Sequence, residues 1–500
     1  MSTHSKWRIN RYSVTLLIAA TIMIVLDIGQ AEAVPAFGRK YEVNCVLCHT
    51  NEPRLSLFGQ QFKENGYQMP GSADGSSTRK IVLEGEQGPV TLDTLSNIMA
   101  VRIRGDIFQP SFNETTAAII STDTRDGTDV RLPTIINLFF AGTARKDISY
   151  FLEGEYNEFE EDPGFGFERA FLQFSNLGGQ SVANIQVGNF DPSGLFSFPT
   201  HRQQLNPIPA VADTTAFPPA IGRIPLLPLA FSSKFFGLTR GGSFAGEEGF
   251  AILPFEPLLY NAPSQNGIAI HGRPFGLGSG FMYQFGVAQN DKATALGDRR
   301  DNRYDTYVMG RYDWYAKGGA AMQVSAFYYN APDAAFATLN PGAGAVFALS
   351  PTDIDRYGIG ARAQWGKFDV YATYIVDEID QPVFAAAPLN TSQWDTTGSG
   401  FSAEMDWRFH KQWMLGVRYD WMAPGGLSRL PAALNQSQLN INASFLSPII
   451  KYYPSPNIGL YARTHFNLES SQPNPVGGGV EEHPATNLEN IFSVGVDMAF

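Results

Sequence analysis

The sequence FSAEMDWRFHKQWMLGVRYDW, residues 401–421, decides the fold. Apolar side chains occupy every second position on both sides of the polar break at 410–412, and mostly polar side chains lie between them. Successive side chains of a β-strand point to opposite faces, so this period of two predicts a hairpin with one apolar face. Residues 492–500 repeat the pattern, and residues 99–107 alternate in the same way, with Arg102, Arg104 and Asp106 on the polar face.

The connections between the predicted strands distinguish a membrane barrel from a soluble sandwich or propeller, which fit the alternation equally well. Short connections alternate with long ones along the chain. The short ones are 454–457, 410–412, 366–367, 316–320, 272–279, 176–180 and 144–146, and the long ones are 469–486, 422–436, 379–397, 331–355, 290–303, 190–243, 158–165 and 109–131. Outer-membrane barrels have short periplasmic turns and longer external loops. The sequence therefore predicts an all-β, antiparallel outer-membrane barrel of about sixteen strands over residues 98–500, in contact with lipid and with both chain ends on the periplasmic side.

Two features qualify the predicted strands. Three prolines, Pro254, Pro257 and Pro263, interrupt the sixth strand, which is expected within 244–271. Aromatic residues beside the short turns predict an interfacial girdle. They are Trp314, Tyr315, Trp365, Phe368, Phe409, Trp413, Tyr452 and Tyr453.

Composition excludes several classes of protein. The 500 residues include 36 Lys plus Arg against 48 Asp plus Glu, for a formal net charge of −12. This acidic balance offers no basic surface for phosphates, so nucleic acid is not an expected partner. A hydrophobic content of 44% excludes a disordered chain, and two cysteines cannot build a disulfide framework.

The N-terminus predicts export. Lys6, Arg8 and Arg11 precede the largely apolar segment 14–26, and a small-residue pattern ends at Ala33. This order is typical of a signal peptide, here residues 1–33. An uncleaved anchor helix is the alternative, but 13 residues fall short of the roughly 20 that a spanning helix needs.

Both cysteines belong to one motif, Cys45-Val46-Leu47-Cys48-His49, which has the C-x-x-C-H spacing of covalent haem c attachment. Two thiols at this spacing can add to the two haem vinyl groups, which places the following His49 beneath the iron as proximal ligand. A reducible pair of the thioredoxin type is the alternative, and it normally accompanies a βαβ pattern that is absent here. Leu55, Phe58 and Phe62 recur at helical spacing and could cover a haem face. Residues 34–70 therefore predict a small helical monohaem segment, joined to the barrel by a polar linker at 71–97.

The sequence alone does not identify the distal ligand of the haem iron. Met69 lies 20 residues beyond His49, and Met99 lies 50 residues beyond it on a predicted strand. Methionine is a common distal ligand and also a common packing residue. Met69 is the preferred candidate, and an open sixth position is the alternative.

The pattern P-x-F-x-R, C-x-x-C-H, P-x-L-x-x-F-G-x-x-F-K-x-x-G-Y, over residues 35–67, resembles the N-terminal haem segment of fused cytochrome-porins, a family that includes outer-membrane iron oxidases. Members usually carry alanine where this chain has Gly38. The resemblance implies one covalent haem fused to a porin-like barrel, with Fe(II) often the external donor and a soluble periplasmic c-type cytochrome the acceptor. It therefore implies a possible Fe(II):cytochrome c oxidoreductase activity.

Three hypotheses for function follow. A haem segment that precedes the first strand can fold back as a plug of the lumen, where it would pass electrons between an extracellular donor and a periplasmic carrier across the outer membrane. The alternatives are a passive solute porin with a structural or sensory haem plug, and a periplasmic haem enzyme with an open iron position.

Each group of charged residues in the barrel fits two roles. Arg102 and Arg104 either bind haem propionates or simply line the lumen. Acidic residues at 158–162 and 481–483 either attract cations or form a solvated surface. His201 and His271 lack companions at metal-ligand spacing.

Overall fold

The computed structural model describes residues 35–51, 54–69, 80–83, 90–93, 95–110, 114–116, 121–123, 128–145, 147–157, 165–179, 181–190, 265–276, 280–289, 304–340, 346–380, 396–423, 443–468 and 491–500. The predicted signal peptide, the acidic segments 158–162 and 481–483, and His201 lie outside these residues. None of the described helices is long and apolar enough to cross a membrane.

Sixteen strands form one closed antiparallel barrel. They are β5 Met99–Pro110, β8 Thr128–Arg145, β9 Ile148–Asn157, β10 Phe165–Leu177, β11 Ala183–Phe190, β12 Gln265–Gly272, β13 Gly280–Gln289, β14 Tyr304–Tyr315, β15 Ala321–Asn340, β16 Val346–Trp365, β17 Phe368–Asp380, β18 Thr396–His410, β19 Trp413–Ala423, β20 Ala443–Ser455, β21 Ile458–Asn467 and β22 Ile491–Ala499. Each barrel strand pairs with its neighbours in sequence, and β22 pairs with β5 to close the barrel. The predicted sixteen-stranded all-β fold is confirmed.

The remaining elements are short and lie before β5 or between β5 and β8. The helices are α1 Pro35–Tyr41, α2 Cys45–Cys48, α3 Leu57–Glu64 and α4 Leu95–Ile98, and the strands are β1 His49–Asn51, β2 Arg54–Leu55, β3 Lys80–Leu83, β4 Val90–Asp93, β6 Glu114–Thr116 and β7 Ser121–Asp123. They pair as three small hairpins, β1–β2, β3–β4 and β6–β7. The predicted linker 71–97 thus contains the β3–β4 hairpin and α4.

Side chains alternate between the lumen and the outer surface, as the period of two requires. On β14, Arg311 and Asp313 are at most 1% exposed, whereas Val308 and Tyr312 on the opposite face are about half exposed. In the hairpin of residues 401–421, Glu404 and Asp406 are buried in the lumen and Met405 faces outward. The apolar face is therefore the outer one, as a barrel in lipid needs.

The short connections share one rim with both barrel ends. Phe500 exchanges two backbone hydrogen bonds with Val101 near the start of β5, and the backbone N–H of Ala499 donates to Asn457 O in the β20–β21 turn. The rim that carries these turns is called the short-turn rim below. One predicted loop differs, because most of 331–355 continues β15 and β16, and only 341–345 connects them. The sixth barrel strand, β12, begins just after Pro263, so the prolines precede the strand rather than interrupt it.

Aromatic rings form a belt near the short-turn rim. Trp365 stacks on Phe368 with ring centroids 5.5 Å apart, and Phe368 stacks on Trp407 at 5.9 Å. Trp413 contacts Tyr452 at 4.7 Å. Tyr453 is an exception to the predicted girdle. It lies two residues after Lys451 on the inward face of β20, is 4% exposed and lines an internal cavity, whereas the adjacent Tyr452 lies on the outer face.

Residues 35–51 and 54–69, called the plug below, lie inside the barrel. Plug side chains bond to inward side chains of strands all around the wall. These bonds are Lys40 to Thr143 of β8, Gln60 to Gln323 of β15, Glu64 to Arg311 of β14, Thr50 to Asp369 of β17 and Arg54 to Glu404 of β18. The predicted lumen position of the N-terminal segment is confirmed.

Candidate cofactor site between plug and barrel wall

The C-x-x-C-H motif forms one short helix and the residue that follows it. Asn44 caps α2 by accepting a hydrogen bond from Val46 N at 3.3 Å, and His49 leaves the helix in an extended conformation. Cys45 and Cys48 are free thiols. The structure brings Cys45, Cys48 and His49 together along one cavity, as the motif predicts.

Helix α3 holds α2 in place through contacts that sequence reasoning missed. Ser56 caps α3 by accepting from Gly59 N at 3.0 Å, and its backbone N–H donates to Cys48 O at 2.8 Å. A Cβ atom at Gly59 would lie 2.1 Å from Cys48 O, so only glycine permits this approach. The Ser-x-x-Gly spacing before an apolar run is the signal that was available for it.

Gly66 follows the C-terminus of α3. Its φ of +70° lies in the left-handed region, where glycine carries no Cβ penalty. The barrel wall also comes close, because a Cβ there would lie 2.5 Å from Ser149 Oγ. Gly66 therefore turns the chain toward Tyr67 and Met69 against the wall.

Aromatic rings of plug and wall make the apolar part of the cavity. Phe37 stacks on Tyr67 at 5.2 Å, Tyr67 stacks on Phe151 of β9 at 5.3 Å, and Phe151 stacks on Phe171 of β10 at 5.4 Å. All four rings line the cavity, as do Leu55 and Phe62. Phe58, the remaining residue of the predicted apolar face, is not among the lining residues and packs against the hydrophobic core that includes Phe62.

The polar part of the cavity is cationic. Its charged lining comprises Lys63 of the plug, Arg102, Arg169 and Lys451 of the wall, and one carboxylate, Asp497. Arg102 donates to both Asp497 oxygens, at 2.7 and 2.5 Å, and Arg169 forms an ion pair with Glu153. Of the two arginines singled out in the sequence, Arg102 lines the cavity and Arg104 is not among its lining residues.

These residues fit a c-type haem. The cavity combines two thiols and an imidazole at the required spacing with apolar rings for the porphyrin and cations for its carboxylates. Its volume is about 210 Å³, counted as the space open to the centres of water molecules. Cys45 and Cys48 would carry the thioether bonds and His49 the iron.

The structure places Met69 on the same cavity as His49, and Met99 is not among the lining residues. Met69 packs against the core cluster of plug and wall rings, and its carbonyl accepts from Asn65 at 3.5 Å. Met69 therefore keeps its place as the candidate distal ligand.

Burial determines the protonation state of the Cys48 thiol. Burial, assisted by the neighbouring Cys45, raises the pKa of the Cys48 thiol to about 11. The free side chain is therefore protonated at neutral pH.

Two buried ionic clusters fix the plug. In the first, called the Glu64 cluster, Glu64 Oε2 accepts from Arg273 Nη2 at 2.9 Å and Oε1 accepts from Arg311 Nη2 at 2.5 Å, while Asp313 binds both arginines. Burial alone would raise the pKa of the Glu64 carboxyl, but the Arg273 and Arg311 guanidiniums outweigh burial and hold its pKa below the ordinary value.

The second cluster surrounds Arg54, whose side chain is fully buried. Arg54 pairs with Glu404, lies 2.8 Å from Asp406 and 3.6 Å from Asp369, and packs on the Tyr371 ring. Burial would lower the pKa of Arg54, but the surrounding carboxylates raise it, so the guanidinium stays charged. Removing Arg54 or one of these carboxylates would leave a buried charge without its partner, which typically costs about 3–5 kcal/mol.

Comparisons with known proteins give fold neighbours alone. No protein-family model and no curated protein matches the chain. Similar solved structures include in-vitro folded OmpT, an outer membrane protein of Vibrio cholerae, which is 10% identical and aligns over 84% of this chain and 99% of its own, with a TM-score of 0.45. An anion-selective porin from Comamonas acidovorans is 14% identical over 81% of this chain and 98% of its own, with a TM-score of 0.43. OmpF of Salmonella typhi in complex with daunomycin is 14% identical over 84% of this chain and 100% of its own, with a TM-score of 0.43.

Proposed function

We propose that this protein is an outer-membrane monohaem cytochrome that passes electrons between a donor outside the cell and a c-type cytochrome or similar carrier in the periplasm. One observation carries the proposal: Cys45, Cys48 and His49 line a cavity enclosed by plug and barrel wall. A haem c bound there supplies one-electron exchange. The chain's own residues would hold that group through Cys45 and Cys48, with His49 as the iron ligand and Met69 as the candidate second ligand, and the stacked rings would exclude water.

The outer surface supports residence in a membrane. Large apolar side chains are exposed on outward positions of many strands, among them Val308, Tyr312 and Met405. An exposed apolar face of this extent is costly in water and favourable in lipid. The short-turn rim, where the plug motif and both barrel ends lie, would face the periplasm, since bacterial barrels place their short turns there.

The position of the cavity constrains the donor. Pro456 and Asn457 of a short turn line the cavity, so it lies close to the short-turn rim. On β5, the lining residue Arg102 is three residues from Met99 at this rim and eight residues from Pro110 at the other end. Eight residues of a tilted strand rise about 20 Å. A donor that stays outside would be far from the iron, so the donor we propose is a small ion that enters the lumen, with Fe(II) as the first choice.

A passive solute porin is the second candidate. The closed barrel of sixteen strands favours it, because barrels of this size can enclose an aqueous channel. The Glu64 cluster and the Arg54 cluster count against it, since a solute path that displaced the plug would strand buried charges.

The test uses the full-length protein in sealed vesicles that contain a water-soluble redox dye. The first comparison sets wild type against His49→Ala, which retains the thiols, and against Cys45→Ser, which removes one attachment point. Added Fe(II) should reduce the internal dye only with wild-type protein. A bulky iron chelate should reduce it far more slowly than the free ion, because the chelate cannot enter the lumen.

Dye reduction and solute flux, measured on the same vesicles, separate the electron conduit from the passive porin. If the protein is a conduit, His49→Ala abolishes dye reduction. Dye reduction that persists in His49→Ala, or haem that is absent from purified wild type, overturns the conduit in favour of the porin.

A further inference from the structure

We propose that the barrel wall completes the haem site, with Arg102, Arg169 and Lys451 binding the two haem propionates. This inference rests on the proposed function, because it requires haem at Cys45 and Cys48. It adds that the cytochrome segment alone is an incomplete site, and that the cofactor joins the plug to the barrel.

The three cations belong to one side of the wall. Lys451 lies on β20, Arg102 on β5 and Arg169 on β10. These strands fall within the continuous run β20-β21-β22-β5-β8-β9-β10 of the barrel. Lys451 and Arg169 are at most 5% exposed, and all three side chains line the cavity that Cys45, Cys48 and His49 line from the plug.

Cations outnumber carboxylates in the lining of this cavity. It holds four cations, which are Lys63 and the three wall residues, and one carboxylate, Asp497. Further carboxylates lie behind the lining: Glu153 and Glu155 act on Arg102, Glu153 pairs with Arg169, and Glu404 and Asp406 act on Lys451. The cations that face the cavity are therefore the groups that two haem propionates would meet there.

The two clusters that fix the plug differ from this lining. In the Glu64 cluster, two arginines face two carboxylates. Around Arg54, the second arginine is Arg362, and the two face three carboxylates, Asp369, Glu404 and Asp406. Neither cluster has more cations than carboxylates, whereas the lining of the cavity beside the haem motif does.

Asp497 gives Arg102 a fixed orientation. The carboxylate takes two donors of the guanidinium, Nε and Nη2. An arginine carries five N–H donors, so others remain for a second carboxylate. Lysine at 451 contributes a compact charge without such a fork, which makes it the better position for a charge-removal test.

The test uses haem-loaded, full-length protein in detergent and measures the haem reduction potential and the propionate-bending band of the resonance Raman spectrum. Removing a cation near the haem favours the more positive ferric state. Lys451→Gln should therefore lower the equilibrium constant for haem reduction by about tenfold, which is about 59 mV for one electron. Lys451→Arg retains the charge and should keep the wild-type potential.

Matched variants make the result specific. Arg356→Gln removes a buried cation of β16, which is not among the cavity-lining residues, and should leave both potential and Raman band unchanged. Arg102→Lys keeps the charge but loses the fork, so it should move the propionate band with little change in potential, and it serves as well if Lys451→Gln fails to fold.

The inference is wrong if Arg356→Gln shifts the haem reduction potential as much as Lys451→Gln does. It is also wrong if the propionate band stays in place in Arg102→Lys with haem fully attached. Either result leaves the proposed function standing. Purified wild type without haem overturns the proposed function instead.

Discussion

Glu64→Gln should weaken the docking of the plug against the barrel wall and leave the barrel itself intact. The carboxylate is 5% exposed and lies between two guanidiniums at 2.5 to 3.0 Å. A glutamine has the same shape but no charge, and its NH₂ would point at a cation. Breaking a buried ion pair costs about 3–5 kcal/mol. The lower end applies here because Asp313 still faces both arginines, so docking of the plug should weaken by about 3 kcal/mol, which is about a hundredfold.

Hydrogen exchange measures this effect directly. Amides of α3 exchange through undocking of the plug, so their exchange in Glu64→Gln should be about a hundredfold faster than in wild type. Barrel amides should be unaffected. Gln60→Met is the matched control, because it removes only the neutral Gln60–Gln323 bonds, worth about 1 kcal/mol. Equal exchange of α3 amides in Glu64→Gln and Gln60→Met would refute the reasoning that ionic contacts hold the plug.

The remaining predictions concern the motif, the membrane face and pH. Gly59→Ala should prevent haem attachment, since its Cβ would lie 2.1 Å from Cys48 O; haem absorbance per protein measures this, and Gly310→Ala on β14, where the nearest atom to an added Cβ would belong to the Phe281 side chain at 3.2 Å, is the control for folding. Val308→Arg, on the outward face near the middle of β14, should destabilise the protein folded in lipid vesicles by about 2–4 kcal/mol. An unchanged free energy of unfolding would place that face outside lipid. The lowered pKa of Glu64 means that its contribution to docking is complete above the ordinary carboxyl pKa and is lost as pH falls through the lowered value. Protection of α3 amides should therefore be constant near neutrality and fall on acidification, and Glu64→Gln should remove the part of that fall due to this carboxyl.

The barrel could be predicted from sequence because its signals are local. The period of two in 401–421 fixes which side chains face lipid, and the alternation of short and long connections fixes the strand count. The haem motif is likewise local, since three residues within five positions define it. These are the parts of the fold and site that needed no knowledge of long-range contacts.

The parts that sequence reasoning missed depend on distant pairs. Glu64 meets Arg311, 247 residues away, and nothing near either residue marks the other as its partner. The wall cations at 169 and 451 were overlooked for the same reason, because only closure of the barrel brings them to the cavity. Tyr453 needed no such contact, because the period of two in β20 already places it on the inward face with Lys451 and opposite Tyr452.

The chain order explains why the proposed haem lies near the short-turn rim. The motif precedes β5, whose first residue, Met99, lies at that rim, so the plug enters the barrel from there. Arg39 of α1 donates to the carbonyls of Ser96 and Met99, which ties the plug to the start of the barrel. Under the proposed function, an electron at a haem in this position would have little further distance to travel to a periplasmic carrier. The lumen would then let a small donor cross most of the membrane by diffusion before any electron moves.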